Sequence, residues 1–289
     1  MAAKIIDGRR IAQEERARLR GRIEALVRQG VTPGLAVVMV GDDPASNLYV
    51  RNKTRACEEL GMRSYVHRLA ADVTQEAVIS RVRSLNEDPE VHGIIVQLPL
   101  PRRLDVREVV KSIAVQKDVD GFHLYNVGGL MIGDIVFPPC TPYGVQVLLE
   151  RTGIPVEGQN VVVVGASNIV GKPMAMLLLQ KDATVSICHV KTRDLAQYTI
   201  LADILVVAAG KPNLIRPEMV RRGAVVIDVG INRLPDGRLV GDVDFDGVRE
   251  RASYITPVPG GVGPMTVTML LYNTVRAAER VAGLVAAPA

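Results

Sequence analysis

Tryptophan is absent from the 289 residues, phenylalanine occurs three times, and aromatics make up only 3% of the chain. A platform that stacks single-stranded bases on aromatic rings is therefore not expected. Cysteine is also scarce: Cys57, Cys140 and Cys188 lie far apart, without a CxxC pair. An odd, scattered set argues against a disulfide framework and a thiolate zinc site, and fits a reducing, cytoplasmic setting. Long apolar runs are missing too, since Val161–Val164 and Leu201–Ala209 are short. A membrane span needs about 20 such residues, and MAAKIIDGRR at the N-terminus carries charges where a secretory signal has its apolar core. Neither charge sign dominates, because 35 basic and 31 acidic residues leave +4. That small excess suits an anionic small molecule and is too weak to argue for nucleic acid. The four histidines show no H-x-x-x-H or H-E-x-x-H spacing, so no metal site is expected.

What is present is an ordinary soluble composition, 48% hydrophobic and 23% charged, in a chain long enough for two domains. Ile11, Leu19, Ile23, Leu26 and Val27 form a helical apolar stripe. Leu35–Val40 and Gly93–Leu98 read as buried strands, Tyr65–Leu69 as a weaker one, and Ala45–Leu60 and Thr74–Asn86 as helices. Strands alternating with helices predict parallel pairing in an α/β fold. The stretch PPCTPYG, Pro138–Gly144, breaks the rhythm and marks a domain boundary. Beyond it the pattern restarts, with strands at Val161–Val164, Thr184–Cys188, Ile204–Ala208 and Ala224–Asp228 and a helix at Gly171–Gln180. A final helix is expected from Met265 to about Val281, after TPVPGGVGP at Thr256–Pro264.

The sharpest local feature is VVVVGASNIVGKP, Val161–Pro173. A valine strand enters a glycine turn and then a helix, the setting in which a dinucleotide pyrophosphate meets a helix N-terminus. The spacing, on Gly165, Ser167, Gly171 and Pro173, departs from G-x-G-x-x-G. The next strand ends at His189-Val190-Lys191-Thr192-Arg193, with no acid to hold ribose hydroxyls before Asp194. A basic strand end favours the 2′-phosphate of NADP; the bland alternative is a turn with solvated charges. VIDVGIN, Val226–Asn232, places Gly230 at another strand's carboxyl edge, where ligands of open α/β sheets bind.

In the first half, Tyr49 and Lys53 share a helix face at i,i+4. A lysine in a partly apolar cleft can exchange protons near neutrality, although most such pairs are simply solvated. Gln97 is a polar amide at the end of a buried strand and needs a partner, structural or ligand. In KDVDG, Asp118 or Asp120 could cap, turn or grip an amino-bearing ring.

These strings occur in one order: YVRNK (Tyr49–Lys53), VQLPLP (Val96–Pro101), KDVDGFH (Lys117–His123), PCTPYG (Pro139–Gly144), VVGASNIVGKPMA (Val163–Ala175), VIDVGIN and TPVPGGVGPMT (Thr256–Thr266). Together they closely resemble the bifunctional methylenetetrahydrofolate dehydrogenase / methenyltetrahydrofolate cyclohydrolase family, over essentially the whole chain. The resemblance implies two α/β domains with an active site in the inter-domain cleft. One would be a folate-binding catalytic domain at 1–140 plus the C-terminal helix 265–289; the other a Rossmann-like NADP-binding domain at 141–264. It implies NADP-dependent oxidation of methylenetetrahydrofolate, hydrolysis of the methenyl product to formyltetrahydrofolate, and a homodimer formed through the nucleotide domains.

It also implies residue roles. Lys53 would be the central catalytic group, Tyr49 would stack on the folate aminobenzoyl ring, Gln97 would orient Lys53, and Asp120 would anchor the pterin. The folate pocket would draw on Tyr49, Val50, Arg51, Asn52, Lys53, Val96, Gln97, Leu98, Asp120, Pro259, Gly260, Gly261, Val262 and Gly263. The cofactor would meet Gly165, Ala166, Ser167, Ile169, Val170, Gly171, Pro173, His189, Val190, Lys191, Thr192, Gly230 and Ile231. Ala166 and Val190 depart from the family pattern, which often has Arg and Ser there, so NADP preference rests on His189, Lys191 and Arg193. A shikimate-type dehydrogenase would account for the second half alone. A non-catalytic dinucleotide sensor would have no need of Tyr49, Lys53, Gln97 and Asp120 together.

Overall fold

The computed structural model describes residues 2–285. The chain opens with β1 (Lys4–Ile5), α1 (Gly8–Arg28), β2 (Gly34–Val40), α2 (Pro44–Glu59), β3 (Arg63–Leu69), α3 (Gln75–Glu87) and β4 (Gly93–Val96). Helices α4 (Val106–Lys111), α5 (Leu124–Ile132) and α6 (Cys140–Thr152) follow. Next come β5 (Asn160–Val164), α7 (Gly171–Leu179), β6 (Thr184–Cys188), α8 (Ala196–Thr199), β7 (Ile204–Val207) and β8 (Val225–Asp228). The chain ends with β9 (Asn232–Arg233), β10 (Leu239–Val240), α9 (Phe245–Arg249), β11 (Tyr254–Ile255) and α10 (Val262–Val281).

The chain divides into two compact units. The first holds Glu14–Cys140 and the chain from Val267 onward. Its parallel sheet has the order β3-β2-β4, with Val38 paired to both His67 and Val96. Every residue of β2 is buried, so GLAVVMV shows no polar alternation. Val78, Val82 and Leu85 of α3 pack with Val38, Ile94 and Val96 in this unit's core. The Thr74 hydroxyl caps α3 by accepting from the Ala77 amide at 3.2 Å. In α1, Leu19, Ile23 and Leu26 are buried as the stripe predicts, whereas Val27 is 48% exposed. Arg22 holds α10 through a bidentate pair with Glu279, at 2.7 and 2.6 Å.

The second unit holds Thr141–Thr266 together with the chain as far as Gln13. Six strands are ordered β1-β11-β8-β7-β5-β6, with all pairs parallel. The expectation grouped the N-terminal residues with the first half. Instead β1 joins this sheet, pairing Lys4 with Tyr254 and Ile5 with Ile255. Two helix starts also differ from the sequence reading. α6 begins inside the proline-rich boundary, and α10 begins at Val262 rather than Met265. Pro142 and Pro264 each occupy a first helical turn, where a missing N–H breaks no intrahelical bond.

Candidate active site

The reactive residues of the first unit meet at the carboxyl end of its sheet. Asp43 caps α2, its carboxylate accepting from the Ser46 amide at 2.7 Å, and Pro44 opens the helix. α2 then carries Tyr49, 41% exposed, and the partly exposed Lys53 one turn apart. Gln97 follows directly on β4. Lys53 Nζ donates to Gln97 Oε1 at 3.1 Å, while Gln97 Nε2 donates to the Leu98 carbonyl at 2.7 Å. The amide is thereby oriented at both ends.

Asp120 completes the cluster. Loss of hydration raises its carboxyl pKa, and the nearby Lys53 charge and the Cys140 thiol oppose that rise. The Cys140 thiol itself is pushed well above its ordinary pKa, mainly by burial and next by the Asp120 charge. Of the two loop acids, Asp118 is the structural one. Its Oδ2 accepts from the His123 amide at 2.8 Å and from Asn126 Nδ2 at 2.6 Å, closing the turn into α5. Asn273 on α10 steadies the same loop, donating to the carbonyls of Val119 at 2.8 Å and Pro138 at 3.0 Å. Neither Asn273 nor a role for the Cys140 side chain was foreseen; both rest on contacts more than 20 residues apart in sequence.

Other residues expected at the folate pocket are arranged differently. Val50 and Val96 are 1% and 6% exposed core residues, so their side chains serve packing. Arg51 and Asn52 are exposed, and Leu98 is half-buried. Pro259–Gly263 folds within the second unit, where the Arg9 amide donates to the Gly260 carbonyl at 3.1 Å. A Cβ on Gly8 would lie 1.8 Å from the Gly261 carbonyl oxygen, which explains the glycine in IIDG. Val262 is buried.

In the second unit the Gly165–Gly171 turn is closed by backbone contact. Gly165 has φ +121°, and a Cβ there would lie 2.2 Å from the Ala208 carbonyl oxygen. A Cβ on Gly171 would lie 1.9 Å from the Gly165 carbonyl oxygen. The Ser167 hydroxyl accepts from the amides of Val170 at 3.1 Å and Gly171 at 3.4 Å, and its carbonyl from Lys172 at 3.0 Å. The first amides of α7 are therefore occupied by Ser167, contrary to the free helix terminus expected. The amides of Ala166, Ser167, Asn168 and Ile169 donate to no other described residue, and these residues border the turn as a polar cradle suited to phosphate.

Gly171 and Pro173 are buried beneath the turn, and Ile169 is 42% exposed. At the end of β6, His189 Nδ1 accepts from the Lys191 amide at 3.1 Å, and Thr192 Oγ1 accepts from the His189 amide at 2.9 Å. Val190 is 95% exposed, beside exposed Lys191 and Arg193. Gly230 is buried, and Ile231 is 48% exposed, 3.8 Å from a Cβ placed on Gly263. Among the described residues no group of three or more His, Cys, Asp or Glu could hold a metal ion, and no helix is long and apolar enough to cross a membrane.

Residues 6–120 match the catalytic domain of tetrahydrofolate dehydrogenase/cyclohydrolase, and residues 139–282 match its NAD(P)-binding domain. The chain belongs to the tetrahydrofolate dehydrogenase/cyclohydrolase family. The bifunctional protein FolD of Nitrosospira multiformis is 62% identical over 280 residues, 97% of each chain. The crystal structure of the FolD dehydrogenase/cyclohydrolase from Campylobacter jejuni aligns with TM-score 0.95 and 50% identity, covering 97% of this chain and 100% of that one. The Trypanosoma brucei FolD, crystallised with NADP and an inhibitor, aligns with TM-score 0.94 and 42% identity over 98% and 99%. The family name joins a dehydrogenase and a cyclohydrolase, and this chain matches both of the family's domains. The shikimate-type reading fails on the first half, which matches the folate family's catalytic domain.

Proposed function

We propose that this chain oxidises methylenetetrahydrofolate with NADP and hydrolyses the methenyl product through Lys53. The observation that carries the second step is the 3.1 Å contact from Lys53 Nζ to Gln97 Oε1 beside Asp120. In hydrolysis, water adds its oxygen to the methenyl carbon and one carbon–nitrogen bond opens. One water proton ends on the released nitrogen and the other in solvent, and Lys53 Nζ carries the proton between them. Gln97 keeps the amine aimed at the reacting carbon. Tyr49, half-exposed one turn away, offers a flat apolar face to the aminobenzoyl ring. Asp120 accepts hydrogen bonds from the amino-bearing pterin edge.

The dehydrogenase step needs orientation more than a strong base. Bound NADP supplies the hydride acceptor. The amides of Ala166–Ile169 fit its pyrophosphate, Gly165 and Gly171 let the backbone come close, and Gly230 and Ile231 border the nicotinamide side. Lys191 and Arg193, with His189, take the 2′-phosphate, because Ala166 and Val190 have no polar side chain.

A homodimer through the second unit is supported by β6, the sheet's edge strand, where Ile187 is 38% exposed, and by Tyr198 of α8 and the following Leu201, 46% and 64% exposed. A cytoplasmic setting agrees with three buried free cysteines.

The test mixes purified protein with methylenetetrahydrofolate and either NADP or NAD, following methenyl absorbance and formyl product. The expected result is NADP-dependent turnover through to formyltetrahydrofolate. Preference for NAD would remove the 2′-phosphate assignment, and accumulation of methenyltetrahydrofolate at the uncatalysed hydrolysis rate would remove the hydrolytic one.

A further inference from the structure

Two buried carboxylates have no role in the reading so far. Asp228 ends β8 and Asp242 follows β10, 3% and 0% exposed. Asp242 Oδ2 accepts from the consecutive amides of Ala209, at 2.6 Å, and Gly210, at 2.8 Å. Its Oδ1 accepts from Asn232 Nδ2 at 2.8 Å. Asp228 lies beneath: its Oδ1 accepts from the amides of Gly230 and Asp242, both at 3.0 Å, and its Oδ2 from Val243 at 2.9 Å. The packing admits no side chain between them. A Cβ on Gly230 would lie 2.3 Å from Asp242 Cγ, and one on Gly241 would lie 1.8 Å from Asp228 Oδ2.

Burial raises the Asp228 carboxyl pKa and the neighbouring Asp242 adds to that rise, and no described cation pairs with either acid. Two other carboxylates of this unit, Asp194 and Asp244, each hold one loop amide within three residues in sequence, whereas Asp242 reaches two amides 32 and 33 positions away. What the pair does is join the chain segments leaving β7 and β8. The β7 exit is the backbone against which Gly165 rests, with the Ala208 oxygen and Ala209 nitrogen 2.2 and 3.4 Å from a Cβ placed there. The β8 exit carries Ile231, set between Gly230 and Asn232, each held by one of the two acids. One carboxylate thus fixes the spacing of two segments that flank the dinucleotide crevice.

We propose that Asp242 is a positioning residue for the NADP site, preorganising the β7 and β8 exits from beneath, with Asp228 fixing Asp242 in turn. It touches neither cofactor nor folate. Its effect is on nucleotide affinity and leaves the hydrolytic half of the reaction intact, because Lys53, Gln97 and Asp120 lie in the other unit. This inference rests on the NADP reading above.

The test measures NADP affinity by calorimetry and cyclohydrolase kcat/KM in wild type, Asp242→Ala and Asp242→Asn. The expected result is NADP Kd at least tenfold weaker in Asp242→Ala, with cyclohydrolase kcat/KM within twofold of wild type. Asp242→Asn should recover at least half of the loss on a logarithmic scale while staying at least twofold weaker than wild type, because its amide oxygen still accepts from Ala209 and Gly210 but its NH2 group cannot accept from Asn232 Nδ2. A smaller affinity loss, no recovery in Asp242→Asn, or a parallel fall of both activities would overturn the proposal. If Asp242→Ala does not fold, Asp242→Asn is read alone: Kd at least twofold weaker with cyclohydrolase retained supports the role, and any other result overturns it. Wild type that fails to bind NADP would instead remove the NADP reading itself, and this inference with it.

Discussion

Lys53 and Gln97 meet at 3.1 Å, the amine donating to the amide oxygen, while the Gln97 NH2 group is held by the Leu98 carbonyl at 2.7 Å. The two residues are 44 positions apart, one on a helix and one at the end of a strand. The contact fixes an otherwise flexible lysine. Gln97→Leu should therefore lower cyclohydrolase kcat by about 10²- to 10⁴-fold, the usual range for a displaced acid–base group. Folate affinity should change much less, and a steady-state KM-against-kcat split checks this.

Asp120→Asn removes the carboxylate beside Lys53 and leaves its shape. Folate KM should rise roughly tenfold, as expected for a lost charge-assisted hydrogen bond. NADP affinity, measured separately, should stay unchanged, since the cradle residues lie in the other unit.

Asn273→Leu strips two buried carbonyls, of Val119 and Pro138, of their donor. Each unmet buried group costs about 1–3 kcal/mol. Chemical denaturation should register a loss of about 2–6 kcal/mol on that basis, and folate KM should rise because the loop carrying Asp120 loosens.

Gly171→Ala places a methyl 1.9 Å from the Gly165 carbonyl oxygen, which belongs to packed backbone. The turn must open, at a cost of about 1–3 kcal/mol or more. NADP affinity should fall by at least tenfold, read by calorimetry, with methenyl hydrolysis in the folded variant retained.

Burial lifts the Asp228 carboxyl from 3.8 to about 6, and the neighbouring Asp242 adds to the rise against three amide donors. Between those values the folded protein holds a proton that the unfolded chain has released. Stability from this group is thus greatest below the lower value and declines as pH rises through the higher one. Asp228→Asn abolishes that dependence. The wild-type stability advantage over the variant should shrink by up to about 3 kcal/mol between about pH 4 and pH 7. Denaturant titrations across that range check it, and a constant gap would contradict it.

Much of this was legible in the sequence because its signals are local. A buried valine strand, a glycine turn and a helix lie within the stretch Val161–Leu179, and Tyr49 and Lys53 share a helix face by spacing alone. The resemblance supplied what spacing could not, the choice of Asp120 over Asp118. The unread parts depend on contacts distant in sequence. β1 is only two residues long and gains its identity from β11. Asp242 lies 32 and 33 positions from the amides it holds, and nothing local marks it. Prolines at Pro142 and Pro264 read as breaks, yet both sit where a first helical turn tolerates them.

The most direct measurement of the role assigned to Lys53 is to assay Lys53→Met for methenyltetrahydrofolate hydrolysis and, in parallel, for folate and NADP binding. Hydrolysis should fall to the uncatalysed rate while both ligands still bind within about tenfold of wild type. Hydrolysis retained near the wild-type rate would contradict Lys53 as the proton carrier.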